Sequence, residues 1–223
     1  MTRFDIRKRD GLARTAVFKK DDISVKLPMA LEVESLFPDL DALREANLPL
    51  CAPLALVGQY PPPVSGQPVF IHPLLDNPAQ SGDCVMAANW HTALSNPRNY
   101  VDWLIGLKEK TPVDTAWYAP ASALPSNIHI LCYSGFDLFD FRAVDLMTAR
   151  RRFCTPEGDF PAEVLDRGIC ACDGCRHNDL RMHNRQALLK EEYCQKRQKK
   201  NSLGLDRECN GKSSHCRNRT IMQ

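Results

Sequence analysis

Gly135-Phe136-Asp137-Leu138-Phe139-Asp140, running on into Ala143 to Arg151, is the stretch whose reading decides the fold. Asp137 to Asp140 is a short apolar strand candidate, and Ala143 to Arg151 reads as a helix whose basic end suits the helix dipole. A strand that passes directly into a helix is one βα unit. Upstream, Val69 to His72, Cys84 to Ala88, Thr115 to Ala119 and Ile128 to Tyr133 are further short apolar runs. Such runs, alternating with helical patches, predict buried parallel strands. The clearest helix is Pro97 to Lys108: Asn96 can cap it, Pro97 occupies its first position, and Val101, Leu104, Ile105 and Lys108 trace one side beside Trp103. Four or five βα units are too few for a closed eight-stranded barrel. The expected fold class is therefore α/β, a partial or degenerate (β/α) barrel.

Outward from that core, Asp10-Gly11 is a strong turn signal between two extended pieces and predicts a β-hairpin over Phe4 to Phe18, closed by Lys26-Leu27-Pro28. Glu34 to Asn47 has Leu36, Leu40 and Leu43 at helical or turn spacing before Pro49 interrupts it, and residues 60 to 68, rich in proline, read as a linker or rigid loop. Three regions are expected: 1–160 as the partial barrel, 161–193 as a small metal-binding module, and 194–223 as a basic, disordered tail. The net charge of +2 hides an asymmetry, since Cys194 to Gln223 holds eight Lys or Arg against Asp206 and Glu208. A basic end of this kind either holds nucleic-acid phosphates or is simply solvated. The charged start, Met1 to Asp10, and the lack of an apolar run near eighteen residues predict a cytoplasmic protein with no membrane partner.

The module is marked by Cys170-Ala-Cys172-Asp-Gly-Cys175 with His183 eight residues on. Three thiols and an imidazole this close suit a tetrahedral zinc, with the Asp173-Gly174 turn bringing the thiols together and a helix over Met182 to Tyr193 returning the ring. His177 is the rival fourth ligand, but one residue separates it from Cys175, and His183 is preferred. A Cys172/Cys175 redox pair is the competing reading, against which stands the third cysteine just upstream. Cys51, Cys84, Cys132 and Cys154 stand singly beside apolar segments and read as small buried hydrophobes in a reducing compartment. A second metal site from Cys194, Cys209, His215 and Cys216 has irregular spacing.

With these residues placed, the chain resembles the archaeal branch of the tRNA-guanine transglycosylase family, and especially its archaeosine synthase relatives. Phe4-Asp5-Ile6 with Asp10-Gly11-Leu12-Ala13-Arg14 looks like the family's opening hairpin. Gly135 to Asp140, continuing to Ala149-Arg150 and Thr155-Pro156-Glu157-Gly158, looks like its Gly-Val-Asp-Leu-Phe-Asp strand, the helix after it and a Thr-x-x-Gly turn. Cys170, Cys172 and Cys175 with His183-Asn184 look like its zinc site. The resemblance implies a (β/α) barrel of the transglycosylase type with a zinc-bearing module, and a transferase role in tRNA modification during archaeosine (7-deazaguanine) biosynthesis. It further implies tRNA as partner, and a second subunit carrying the archaeosine synthase domains that these residues do not supply.

Asp140 matches the family's catalytic aspartate. Displacing a base from ribose passes through an oxocarbenium-like state that a carboxylate beside the sugar carbon stabilises or traps covalently. The alternative is that Asp140 caps the helix beginning near Ala143. Retaining chemistry also needs a second acid/base and polar groups aimed at the base. The family's Asp-Ser-Gly-Gly and later Gly-Gly segments are not found here, and Asp76, Asp83 and Asp102 lie outside any matching motif. A catalytically deficient, tRNA-binding scaffold is the second expectation. Arg142, Arg150, Arg151 and Arg152 are the expected phosphate contacts near Asp140.

Overall fold

The computed structural model describes residues 2–37, 66–71, 83–87, 97–164 and 172–190. At the amino terminus β1 (Thr2–Asp10), β2 (Ala13–Lys20) and β3 (Ile23–Leu27) form an antiparallel sheet in the order β1-β2-β3. The hairpin reverses at the predicted Asp10-Gly11 turn, where Gly11 takes φ +58°. Its register pairs Phe4 with Phe18 and is shifted by an irregularity between Ile6 and Lys8.

A second, parallel sheet contains β4 (Met29–Ala30), β5 (Val69–Ile71), β6 (Cys84–Ala87), β7 (Ala116–Ala119) and β8 (Leu138–Phe139), in the order β4-β8-β7-β6-β5. Parallel neighbours need a crossover, and two helices supply it: α1 (Pro97–Lys110) links β6 to β7, and α2 (Ile128–Tyr133) links β7 to β8. The next helix, α3 (Arg142–Ala149), leads into a hairpin of β9 (Arg152–Thr155) and β10 (Gly158–Pro161). A short helix, α4 (Asp173–Arg176), and a longer one over 180–190, α5, follow.

Most of the predicted elements lie where their apolar runs place them, with one correction. Ile128 to Tyr133, expected as a strand, is the helix α2. Ile128, Leu131 and Cys132 are its buried residues, a helical spacing inside what looks like a continuous apolar run. Of the stretch Glu34 to Asn47, Val33–Ser35 is a single 3₁₀ turn and 38–47 lies outside the described residues, as do 60–65 and the tail. No described helix is long and apolar enough to cross a membrane.

The parallel sheet is buried on both faces, as such sheets must be. One face sends Ile71, Val85, Trp117 and Phe139 against Leu104 and Leu107 of α1 and Ile128 and Leu131 of α2. The other sends Phe70, Met86, Tyr118 and Leu138 against Ala16, Phe18 and Leu27 of the amino-terminal sheet. Cys84, Cys132 and Cys154 are buried as expected, and burial pushes the Cys154 thiol up to about 12. Cys51 lies outside the described residues.

The two sheets are joined by a buried ion pair. Arg14 of β2 donates from Nε to Asp137 Oδ1 at 2.9 Å and from Nη2 to Asp137 Oδ2 at 2.6 Å. The same guanidinium donates to the carbonyls of Val113 (2.6 Å) and Thr115 (2.5 Å), while its face lies 4.5 Å from the Phe4 ring. Asp137 also accepts from the Trp117 backbone N–H at 2.9 Å, and its own backbone bonds Trp117 on one side and Met29 on the other. Beside it, Lys108 donates to the Gly135 carbonyl at 2.9 Å with its ammonium 3.6 Å from the Trp117 ring centroid. Burial pushes the Lys108 amine down to about 7 against the opposing pull of Asp137. Gly135 takes φ +84°, and a Cβ there would lie 2.8 Å from the Leu12 carbonyl oxygen, so only glycine fits.

Removing one partner of a buried, hydrogen-bonded ion pair strands the other charge and costs about 3–5 kcal/mol. Arg14→Met is therefore expected to lower unfolding free energy in urea by that amount, and adding Asp137→Leu to recover part of the loss. A double variant less stable than the single one would contradict this account.

Candidate metal centre and the Asp140 carboxylate

Cys172 stands at the amino-terminal cap of α4, where its Sγ accepts the backbone N–H of Cys175 at 3.4 Å. That bond turns both thiols to one side of a single helical turn. Asp179 then caps α5, with Oδ1 accepting the Met182 N–H at 2.9 Å, and His183 follows one turn in. Its Nδ1 lies 3.2 Å from Cys172 Sγ and 3.4 Å from Cys175 Sγ. The helices approach closely enough for this because residue 174 is glycine; a Cβ there would sit 2.3 Å from the His183 backbone nitrogen.

The imidazole is held from behind. Its Nε2 is 3.2 Å from the Cys154 carbonyl oxygen, and its ring stacks on Phe153 at 3.8 Å between centroids. A proton on Nε2 bonded to that carbonyl leaves the Nδ1 lone pair facing the thiols, the arrangement that orients a histidine ligand. Burial also holds the His183 pKa below the ordinary imidazole value, against the raising effect of the Cys154 hydrogen bond, and so favours the neutral ring that a metal requires. The three donor atoms lie within 4.8 Å of one another. Sulfur and nitrogen donors at about 2.3 and 2.0 Å from a tetrahedral ion are roughly 3.5 Å apart, so Cys172, Cys175 and His183 can hold a metal ion with small adjustments. His177 caps the other end of α4, is exposed and is outside this cluster. Cys170 lies outside the described residues.

Asn184, next in sequence, fastens the site to the fold. Its Oδ1 accepts the Cys154 N–H at 2.8 Å, and its Nδ2 donates to the Arg152 carbonyl and the Thr148 hydroxyl. Further along α5, Arg185 reaches Asp145 of α3 at 2.8 and 2.5 Å and Glu32 at 2.7 Å, and Arg181 joins Asp145 at 3.0 Å. The Arg185 hydrogen bond, with Arg181 adding to it against a smaller effect of burial, holds the Asp145 carboxyl down to about 2. Asn184 follows His183 in the quoted motif, but the Asp145 and Arg185 pairing has no local signature in the chain.

Asp140 follows β8 directly, at the carboxyl end of the parallel strands. It is 2% exposed. Tyr118 Oη donates to its Oδ2 at 2.6 Å, the Ala121 N–H to both oxygens at 3.0 and 3.1 Å, and the Arg142 N–H to Oδ1 at 3.1 Å. The last bond satisfies the amide of the first residue of α3, although the N-cap position itself is Phe141. The others fix the carboxylate from β7 and the loop after it. Asp83 lies at the opposite, amino-terminal end of β6, Asp102 is exposed on α1, and Asp76 is outside the described residues. The expected phosphate contacts are largely engaged: Arg142 pairs with Glu34 at 2.8 Å, Arg151 with Glu163 at 2.7 Å, and Arg152 with Asp159.

No family model matches the chain. It is 33% identical over 112 residues to the archaeosine synthase subunit alpha of Methanosarcina acetivorans, and 32% identical over 105 residues to the archaeosine synthase of Haloferax volcanii. Each match covers 44% of this chain and 18% of the relative, so the chain spans less than a fifth of the length of the curated relatives it matches. Over that part the chain is related to archaeosine synthases.

Two outcomes follow from the geometry. Gly174→Ala, by forcing α4 and α5 apart, is expected to lower metal content in elemental analysis as far as Cys175→Ser does, although it removes no ligand; full metal content in the alanine variant would contradict the close approach. The Asp145 pairing contributes stability that is complete above the ordinary carboxylate value of 3.8 and lost as pH falls towards about 2. Asp145→Asn should flatten the decline in urea midpoint between pH 4 and about 2; an unaltered decline would assign it to other groups.

Proposed function

We propose that this chain works in tRNA modification in archaeosine biosynthesis, as a tRNA-guanine transglycosylase-like or archaeosine synthase-type transferase. The observation that carries the reading is the similarity to two archaeosine synthases in a chain whose Cys172, Cys175 and His183 converge as metal donors. The order of the parallel sheet supports a partial (β/α) barrel, because the first strand, β4, lies against the last, β8, as it does where a barrel closes. Residues 1–160 form that part, 161–193 the metal module and 194–223 a basic tail. Zinc is the metal that two thiolates and an imidazole favour, with Cys170 as fourth ligand. It supplies structural cross-linking, while Cys172, Cys175 and His183 fix α4 against α5.

In this reading Asp140 is the carboxylate beside the reacting ribose. Held by Tyr118 and the Ala121 and Arg142 amides, its carboxyl group stands at the strand ends, where a carboxylate would stabilise the sugar carbon as it becomes cationic on breaking its bond to the base. The partner is tRNA, in the cytoplasm. A second subunit carrying the remaining chemistry is supported by the relative named as a subunit alpha.

One observation favours the second reading, a scaffold that binds tRNA and depends on that partner for chemistry. Both oxygens of Asp140 are already hydrogen-bonded, and Asp83 and Asp102 lie away from it. Asp140→Asn, which keeps an acceptor for the Arg142 amide, separates the two. Assayed on tRNA with partners present, the transferase reading expects a loss of at least about a hundredfold with little change in melting temperature. Full activity in the variant would leave Asp140 as a helix cap and this chain as the scaffold.

A further inference from the structure

The register of the amino-terminal sheet sorts its residues by charge. Phe4, Ala16, Phe18, Val25 and Leu27 face the core cluster shared with the parallel sheet. On the opposite face, Arg3 stands across from Lys19 and Lys19 from Ser24, Lys8 from Thr15, and Lys26 from Val17. Arg3, Lys8, Lys19 and Lys26 are exposed. Asp5 and Asp10, the latter opposite Ala13, are the acids on this face, against the four cations Arg3, Lys8, Lys19 and Lys26, and Arg3 binds Asp5 at 2.7 Å. Among the described residues no carboxylate pairs with Lys8, Lys19 or Lys26, whereas Arg142, Arg151 and Arg152 near α3 are each paired with one.

Lysines on an edge strand commonly serve to block edge-to-edge pairing, and that accounts for Lys8 on β1. It does not account for Lys19 on the central strand β2. Like charges directly opposite across a ladder destabilise it, and Arg3 opposite Lys19 is such a pair. Strands about 4.8 Å apart with same-face residues about 6.8 Å apart give this face an excess of closely spaced positive charge, with the Thr15 and Ser24 hydroxyls among the charges. A regular polyanion with closely spaced charges is its chemical complement.

We propose that the outer face of the β1-β2-β3 sheet docks the sugar-phosphate backbone of an RNA. The proposal rests on the tRNA reading above and adds where the contact lies. Arg14 bonds the carbonyls of Val113 and Thr115, which places this sheet at the amino-terminal ends of the parallel strands. Asp140 follows their carboxyl ends. The surface therefore anchors an RNA long enough to pass from one end of the strands to the other, and takes no part in the reaction at its target nucleotide.

The test uses the full chain with Lys8→Gln, Lys19→Gln and Lys26→Gln combined. Affinity is measured over a salt series for a tRNA and for an unrelated RNA duplex, with metal content and melting temperature as controls of folding. The wild type should show a negative slope of log affinity against log salt, reduced in the variant by about 0.7–0.9 for each cation that contacts phosphate, with at least tenfold weaker binding at low salt. On a tRNA substrate KM should rise while kcat stays unchanged. An unaltered slope with affinity within twofold of wild type overturns the docking surface and leaves the tRNA reading standing. Loss of slope on both RNAs, with no preference of the wild type for tRNA, upholds the surface and counts against the tRNA reading. No binding of either RNA by the wild type overturns both. If the triple variant fails to fold, lysine acylation of the wild type decides: bound RNA should protect Lys8, Lys19 and Lys26 but not Lys110, and equal labelling with and without RNA overturns the proposal.

Discussion

The architecture depends on the bidentate contact between Arg14 and Asp137. Two charges removed from water cost several kcal/mol each, and their mutual attraction offsets this only where the remaining donors and acceptors are also satisfied. Here they are: the guanidinium completes its bonds on the Val113 and Thr115 carbonyls, and the carboxylate takes the Trp117 amide. Asp137 main-chain atoms meanwhile join β8 to β7 and β4. One residue thus fixes the height of β8 relative to both its neighbours and to the amino-terminal sheet. Asp140, three residues along, inherits its position from that contact.

The Cys172, Cys175 and His183 cluster is anchored in a similar way, through its surroundings. His183 and Asn184 bond the edge of β9 that faces away from β10, through Cys154 and Arg152, while Arg181 and Arg185 reach α3 and the loop after β4. The exposed ion pairs of this network are each weak and screened by salt, and Leu188, fully buried in the main core, supplies the apolar share of the docking. α5 is therefore joined to the main fold by packing as well as by the donors at its start.

Most of the parallel sheet could be read from the chain because strands buried on both faces are continuous apolar runs, and the hairpin because Asp10-Gly11 admits few other conformations. Ile128 to Tyr133 was ambiguous for the same reason: a short apolar run has no visible period, and the deciding fact is that β7 and β8 are parallel neighbours that need a crossover. The cysteine spacing was legible as well, since Cys172 and Cys175, flanking a tight turn, are two of the three residues that converge as a group able to hold a metal ion. What left no trace was long-range pairing. Nothing local to Arg14 points to Asp137, and nothing in the run around Tyr118 shows that its hydroxyl will meet Asp140. Such contacts are properties of the assembled sheet.

A separation of 123 residues between Arg14 and Asp137 also has a consequence for synthesis. On a ribosome the β1-β2 hairpin emerges early, complete in its own hydrogen bonds but with the aromatic face of Phe18 and an unmatched guanidinium exposed. Phe18 can pack on Phe4 and Phe37 early, but the guanidinium meets its carboxylate only when Asp137, at the start of β8, leaves the exit tunnel, when most of the chain has been made. At the usual pace of translation that is an interval of several seconds to tens of seconds. During it the hairpin carries a guanidinium without its carboxylate, so the time at which the two sheets can lock together is set by how late the anchoring aspartate is translated.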